Sequence, residues 1–223
     1  SLAKHYTGLQ SIEYQKWIAR CHSAKGDSDT AVAIYQKIAD QYERRSTGRQ
    51  ALFKGAWLAF NGGQHSKAMK LFGLFLERYP KDQRAPDAYW YLGWNAYRLG
   101  DLPTAQATLE KLRDKFPQTS LVQHAHYWEG RIGAQMGDGT TALASFKAAE
   151  EIHPYNYYGA WARQRIRELK KLQSPLASNG EQIQLAALDI DSQLASDAPT
   201  LLDNQEDSLE PGSDELPPDG GIK

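Results

Sequence analysis

A few residues of this chain have types that could do chemistry: two close histidines, two adjacent glutamates, one cysteine and many aromatic rings near arginines. His124 and His126 stand two apart. On a helix that spacing turns the second ring about 200° away from the first, so the pair cannot share a metal ion. Glu150 and Glu151 are neighbours and diverge in the same way, which reads as surface charge rather than an acid/base pair. Cys21 is the only cysteine; it can form no internal disulfide and belongs to no metal-ligand set. There is no phosphate-cradling glycine loop, no nucleophile elbow and no His-Glu-x-x-His. No catalytic residue, metal ligand or cofactor is therefore assigned.

The aromatic residues are the better candidates. Tyr89, Trp90, Tyr91, Trp94 and Tyr97 are followed by Tyr127, Trp128, Tyr155, Tyr157, Tyr158 and Trp161. Helical spacing explains most of them as core and inter-repeat packing. The functional reading is a groove in which aromatic faces beside Arg98 and Arg131 hold sugar rings or an extended peptide. The binding candidates are Trp90, Trp94, Arg98, Trp128, Arg131, Tyr157 and Tyr158. Tyr89-Trp90-Tyr91 point in three directions on a helix, so the expectation is that they are not all core.

The elements that must position these side chains follow from one number. Gly26, Gly63, Gly100 and Gly137 are 37 residues apart, and so are Ala31, Ala68, Ala105 and Ala142. Pro80, Pro117 and Pro154 keep the same step, as do the small residues Ala19, Ala56, Gly93 and Gly130 and the bulky Tyr35, Phe72, Leu109 and Phe146. A fixed period of this length marks a stacked structural unit. Each unit reads as two helices. In the third, residues 87–99 carry Ala88, Tyr91, Leu92, Trp94 and Ala96 on a broad stripe. Gly100 then supplies a left-handed stop and Asp101 a cap. A second helix over 102–116 has Pro103 in its first turn and ends at Pro117. Gly93 is expected to face Ala105, Ala56 to face Ala68, and Gly130 to face Ala142, each allowing two helices to approach. No hairpin buries its stripe alone, so the units stack into an all-α solenoid. The expected units are 10–43, 49–80, 86–117 and 123–154, with a capping helix over 156–172.

At about residue 173 the composition changes. All 24 aromatic residues precede it. Residues 1–173 hold 25 basic and 16 acidic side chains, a net +9; residues 174–223 hold 1 and 11, a net −10. The second segment, an acidic linker or tail with Pro and Gly, is expected to be mostly disordered, with a short helix over 181–194. The +9 is spread over the helices without a dense basic stripe, which argues against a nucleic-acid partner. No run of 18 apolar residues is present, so no membrane span is expected. The chain opens Ser-Leu-Ala-Lys without a leader, which reads as an excised or processed piece.

Two resemblances follow. Leu92-Gly93, Ala105, Leu109 and Pro117 fall at the offsets of the tetratricopeptide pattern, whose repeat is 34 residues; here three more are inserted. The chain is thus TPR-like. Ala125-His126-Tyr127-Trp128-Glu129-Gly130-Arg131, then His153-Pro154 and Tyr157-Tyr158-Gly159, resemble the end of the helical superhelix of soluble lytic transglycosylases. That resemblance spans about residues 120–170. It implies a non-catalytic scaffold domain in the periplasm that positions such an enzyme on peptidoglycan glycan strands or docks partner proteins. The family's glutamate-serine and glycine-leucine-methionine-glutamine motifs do not occur in this sequence. The resemblance therefore carries over no catalytic glutamate: either a catalytic domain lies outside the segment, or the protein keeps only the scaffold. Leu76-Glu77-Arg78-Tyr79-Pro80 and Ala88-Tyr89-Trp90-Tyr91-Leu92-Gly93 also resemble stand-alone TPR adaptors of the cell envelope, of the outer-membrane assembly and Tol–Pal types, which bind proteins. Both resemblances imply a bacterial envelope location.

Overall fold

The period and its punctuation become nine helices among the described residues of a computed structural model. Backbone is described for residues 2–172 and side chains for residues 11–171. The helices are α1 (Leu2–Ala24), α2 (Ser28–Gln41), α3 (Ser46–Asn61), α4 (His65–Arg78), α5 (Ala85–Arg98), α6 (Leu102–Lys115), α7 (Leu121–Gln135), α8 (Gly139–Ile152) and α9 (Tyr157–Leu172). The acidic segment from residue 174 on, including the helix expected over 181–194, lies outside the described residues.

The turn inside each hairpin is set by local chemistry. Gly26, Gly63, Gly100 and Gly137 have φ between 69° and 81°, a conformation in which a Cβ is strained. In three of the four hairpins an aspartate follows as N-cap. Thr30, Thr104 and Thr141 donate their backbone N–H groups to Asp27, Asp101 and Asp138 Oδ1 at 3.1, 3.2 and 3.0 Å. Each bond satisfies one of the orphan donors of a helix start. Gln64 holds the same place in the second hairpin without a side-chain cap bond.

Each helix packs on the helices next to it in sequence. Beyond these, α3 touches α5, α5 touches α7 and α7 touches α9. The first helices of successive hairpins thus form one layer, and the second helices cover them. The core is a row of side chains in 37-residue register: Ala31, Ala68, Ala105 and Ala142 are each fully buried.

Three expectations change. Tyr89, Trp90 and Tyr91 are all core, 8%, 1% and 2% exposed. Helix α5 has α4 and α6 beside it and also meets α3 and α7, so three directions on its surface all lead to neighbours. Gly93 does not chiefly face Ala105; a Cβ on it would lie 3.0 Å from Leu109 Cδ2, with the Ala105 carbonyl farther off at 3.6 Å. Gly130 does not face Ala142 but the Phe146 ring, and Ala142 is met by Gly133. The small residue of the first helix therefore makes room for the bulky residue of the second, one turn beyond the alanine.

Polar links fasten one hairpin to the next. Arg78 Nη1 reaches Asp40 Oδ1 at 2.9 Å and Lys67 Nζ reaches Asp29 Oδ1 at 2.6 Å. Asp82, itself nearly enclosed, sits 2.9 Å from Arg49 Nε and 3.1 Å from Arg84 Nε. Buried Glu129 accepts from Arg113 Nη1 at 2.8 Å. The exposed pairs contribute little individually, whereas removing one partner of an enclosed pair leaves an uncompensated charge.

Candidate functional site

The aromatic rings of the C-terminal half form one continuous seam across α5, α7 and α9. Its first rail is Trp90, Trp94 and Tyr97 on α5, spaced four and three so that they share a face. Trp90 and Trp94 stack at 6.3 Å, and Trp94 and Tyr97 at 5.9 Å. The second rail, on α7, is His124, Tyr127, Trp128 and Arg131. Trp128 meets Trp94 edge-on at 4.3 Å and Tyr97 at 5.0 Å. His124 lies 5.6 Å from Trp90 on one side and 4.2 Å from Tyr158 of α9 on the other. The Arg131 guanidinium carbon lies 4.6 Å from the Trp128 ring centre and 5.9 Å from that of Tyr97, a cation–π arrangement.

Of the seven residues expected to bind, five are brought together here: Trp90, Trp94, Trp128, Arg131 and Tyr158, all buried. Their ring faces are spent on one another. Arg98 is exposed at the end of α5, away from these contacts. Tyr157 is 49% exposed and leans on Trp161 at 4.2 Å.

Burial sets the electrostatics of the seam. It pushes the His124 imidazole down to about 4, and His124 Nδ1 is enclosed with no hydrogen-bond partner among the described residues. The ring is therefore neutral near pH 7. Burial pushes the Tyr158 hydroxyl up to about 12 and raises Tyr97 and Tyr127 as well. It lowers Arg131, and the like charge of Arg165 acts in the same direction. At the start of α5, Asp87 is pushed up to about 6 by burial, with Arg84 opposing. Neutral imidazole, phenols and indoles make a surface for packing and hydrogen bonding rather than for proton transfer.

Past α8 the chain is turned by a polar knot that the period alone does not reveal. Gln123 Nε2 donates to the Ala149 and His153 carbonyls at 2.9 and 3.1 Å, and Asn156 Nδ2 donates to Gln123 Oε1 at 2.6 Å. Asn156 Oδ1 accepts from Gly159 N at 2.9 Å, which starts α9. A Cβ on Gly159 would overlap the His153 carbonyl oxygen at 2.1 Å; only glycine fits. Gln123 and Asn156 carried no motif, and 33 residues separate them; the one available signal was a glutamine at the start of an otherwise apolar helix face. Outside this knot, Tyr155 is 94% exposed, and Gln164, Arg167, Lys170 and Lys171 present a polar face. Among the described residues no group of three or more His, Cys, Asp or Glu could hold a metal ion, and no helix is long and apolar enough to cross a membrane.

Hairpins stacked in register, with first helices forming one layer, define a helical-repeat scaffold. Two family models, both described as tetratricopeptide repeat, match the sequence: one over residues 92–157, the other over residues 17–43 and 50–82. Together they span more than half of the chain, which is a tetratricopeptide-repeat protein. Solved structures of the same fold include MamA, with 19% identity and a TM-score of 0.57, covering 80% of this chain and 97% of that one. MamA 41-end from Desulfovibrio magneticus RS-1 has 13% identity and a TM-score of 0.58, covering 82% and 96%. A tetratricopeptide repeat protein from Parabacteroides merdae ATCC 43184 has 14% identity and a TM-score of 0.60, covering 84% and 68%. At these identities the likeness is one of fold. No curated protein matches the sequence. The repeat class makes the chain a scaffold for protein–protein interaction.

Proposed function

We propose that this scaffold is the non-catalytic arm of a periplasmic peptidoglycan lytic transglycosylase, positioning the enzyme on glycan strands or docking its protein partners. The observation that carries the reading is how the Pro154-x-x-Tyr157-Tyr158-Gly159 stretch divides its work. Gly159 and Tyr158 are used inward, one to pass the His153 carbonyl and the other to close the seam against His124. Tyr155 and Tyr157 are turned outward at the last helix, where an adjoining domain or a sugar ring would meet aromatic faces. The resemblance of residues 120–170 to the transglycosylase superhelix supports the same assignment.

The test is a pull-down of the full chain on purified insoluble peptidoglycan with salt titrated, alongside a Tyr155→Ala/Tyr157→Ala variant. Retention that survives salt and is lost in the variant, with unchanged circular dichroism, is the expected result. Retention that disappears at a Debye length of about 8 Å or less reflects charge alone and overturns the glycan reading. No retention at any salt overturns the glycan-positioning role and favours a stand-alone protein-docking adaptor.

A further inference from the structure

The period allows each residue of the seam to be compared with its equivalents in the other hairpins. Arg131 stands one and two periods after Trp94 and Trp57, and Arg165 one and two after Trp128 and Tyr91. Tyr91, Trp94 and Trp128 are buried rings. In the middle of the array, packing at both registers is thus met by aromatic side chains. Where α7 meets α9, both registers carry arginine instead.

The two arginines are enclosed and close. Arg131 is 6% exposed and the Arg165 side chain 13%, and the charge of Arg165 disfavours that of Arg131. Like charges in an enclosed place are costly unless an anion joins them. Glu168 holds Arg165 Nη1 at 2.7 Å. Among the described residues, the charged groups acting on Tyr97 and Tyr127 are Arg98, Arg131, Arg165 and Glu168, an excess of positive charge. Tyr127 adds a third polar group. Its ring is fully buried and its hydroxyl is enclosed with no hydrogen-bond partner among the described residues. Arg131 and Arg165 both face that hydroxyl, yet neither closes a hydrogen bond of good length and angle to it. Phenylalanine would fill the same space without burying an unmet hydroxyl.

We propose that Arg131, Arg165 and the Tyr127 hydroxyl form a binding site for a carboxylate, borne by an acidic protein segment and held between α7 and α9. All three groups donate to oxygen, and guanidinium–carboxylate pairing is among the stronger hydrogen bonds. Half-buried Tyr97 and exposed Arg98 lie on the solvent side of the group, where positive charge draws an acidic segment in. The carboxylate has two possible sources: residues 174–223 of this chain, with 11 acidic side chains, or a second protein. Such a site serves the scaffold in either event, whether or not a transglycosylase is attached.

The probe is a fluorescein-labelled peptide with the sequence of residues 201–216, which holds six acidic side chains, followed by fluorescence anisotropy. It is titrated with the full chain, and with a full chain whose 11 acidic residues after position 173 are changed to Asn or Gln. Saturable binding to this neutralised chain is expected. Weaker binding to the parent assigns the carboxylate to the chain's own segment, and equal binding assigns it to a second protein. In the neutralised chain, Tyr127→Phe and Arg165→Gln should each weaken the peptide about tenfold or more, because each removes a hydrogen bond to a charged group. Lys111→Gln makes the same charge change as Arg165→Gln at an exposed position of α6 and should alter affinity by less than about twofold. Tyr127→Phe should melt no lower than its parent, since the hydroxyl gives up no hydrogen bond; a tyrosine kept for packing alone would leave binding unchanged. No binding to the neutralised chain overturns the proposal. So do equal affinities across the three variants, or equal affinity for a peptide whose acids are replaced by amides.

Discussion

Gly130→Ala and Gly73→Ala make the same chemical change in two helices of the same array, and they should move stability in opposite directions. Either substitution removes a helix-interior glycine, which alone favours the folded state by about 0.8–1 kcal/mol. At Gly73 in α4 a Cβ meets nothing within 4 Å, so that gain should appear nearly whole. At Gly130 the new Cβ would lie 2.7, 2.8 and 2.9 Å from Phe146 Cδ1, Cε1 and Cγ. That ring is 1% exposed and is packed edge-to-face on Tyr127 at 5.6 Å, so it cannot withdraw into solvent. Forcing a methyl into such a site costs about 1–3 kcal/mol. Three contacts under 3.0 Å to an enclosed ring put the cost in the upper part of that range, about 2–3 kcal/mol, and subtracting the propensity gain leaves a net loss of roughly 1–2 kcal/mol for Gly130→Ala. Urea denaturation followed by circular dichroism reads both. Combining Gly130→Ala with Phe146→Leu tests the mechanism, because the smaller side chain relieves the overlap: the two changes together should cost less than the sum of each alone. A Gly130→Ala protein as stable as the parent, or strict additivity with Phe146→Leu, would refute the idea that this glycine exists to admit the ring.

The remaining predictions concern charge and the turns. Burial lowers His124 in the folded state, so its contribution to stability is full above the unfolded value near 6.5 and is lost as the pH falls toward 4. Between pH 7 and pH 5 the loss is about 2 kcal/mol. Asp87, raised to about 6 by burial, works the other way: its contribution is full below the unfolded value near 3.8 and is lost as the pH rises through 6. Acidification to pH 5 therefore regains about 1 kcal/mol from it. Urea curves at both pH values should show a nearly level parent, a His124→Gln protein that gains on acidification and an Asp87→Asn protein that loses. Parallel behaviour of all three would rule this out. Tyr158→Ala should destabilise the array by about 3 kcal/mol or more, as for a buried aromatic, while Tyr155→Ala should leave its melting temperature within about 2 °C; equal effects would contradict the inward and outward division. Gly100→Ala, at φ 78°, should cost about 1 kcal/mol through backbone strain alone, and a neutral result would show that the turn relaxes.

What was legible before any coordinates was what neighbouring residues decide among themselves. A left-handed glycine, an aspartate cap and a proline after the second helix act within four or five residues. The starts of α6 and α8 at Leu102 and Gly139 therefore follow from Asp101 and Asp138. The 37-residue period likewise declared that the hairpins are alike and must stack. It could not say which residue of one helix meets which of the next. Small residues at two registers offered two ways to bring helices together, and the structure set Gly93 and Gly130 against the Leu109 and Phe146 side chains, leaving Ala142 to Gly133. The aromatic candidates divided for the same reason. Helical spacing places Trp90, Trp94 and Trp128 on faces, but only the approach of α5, α7 and α9 turned those faces toward each other and left Tyr155 and Tyr157 outside. The Gln123–Asn156 knot joins residues 33 apart through backbone carbonyls that α8 leaves unpaired at its end. Hydrogen bonds of that kind depend on where a chain returns in space. A repeat unit specifies its own shape locally, and the surface it keeps for a partner is settled only when its neighbours have taken the rest.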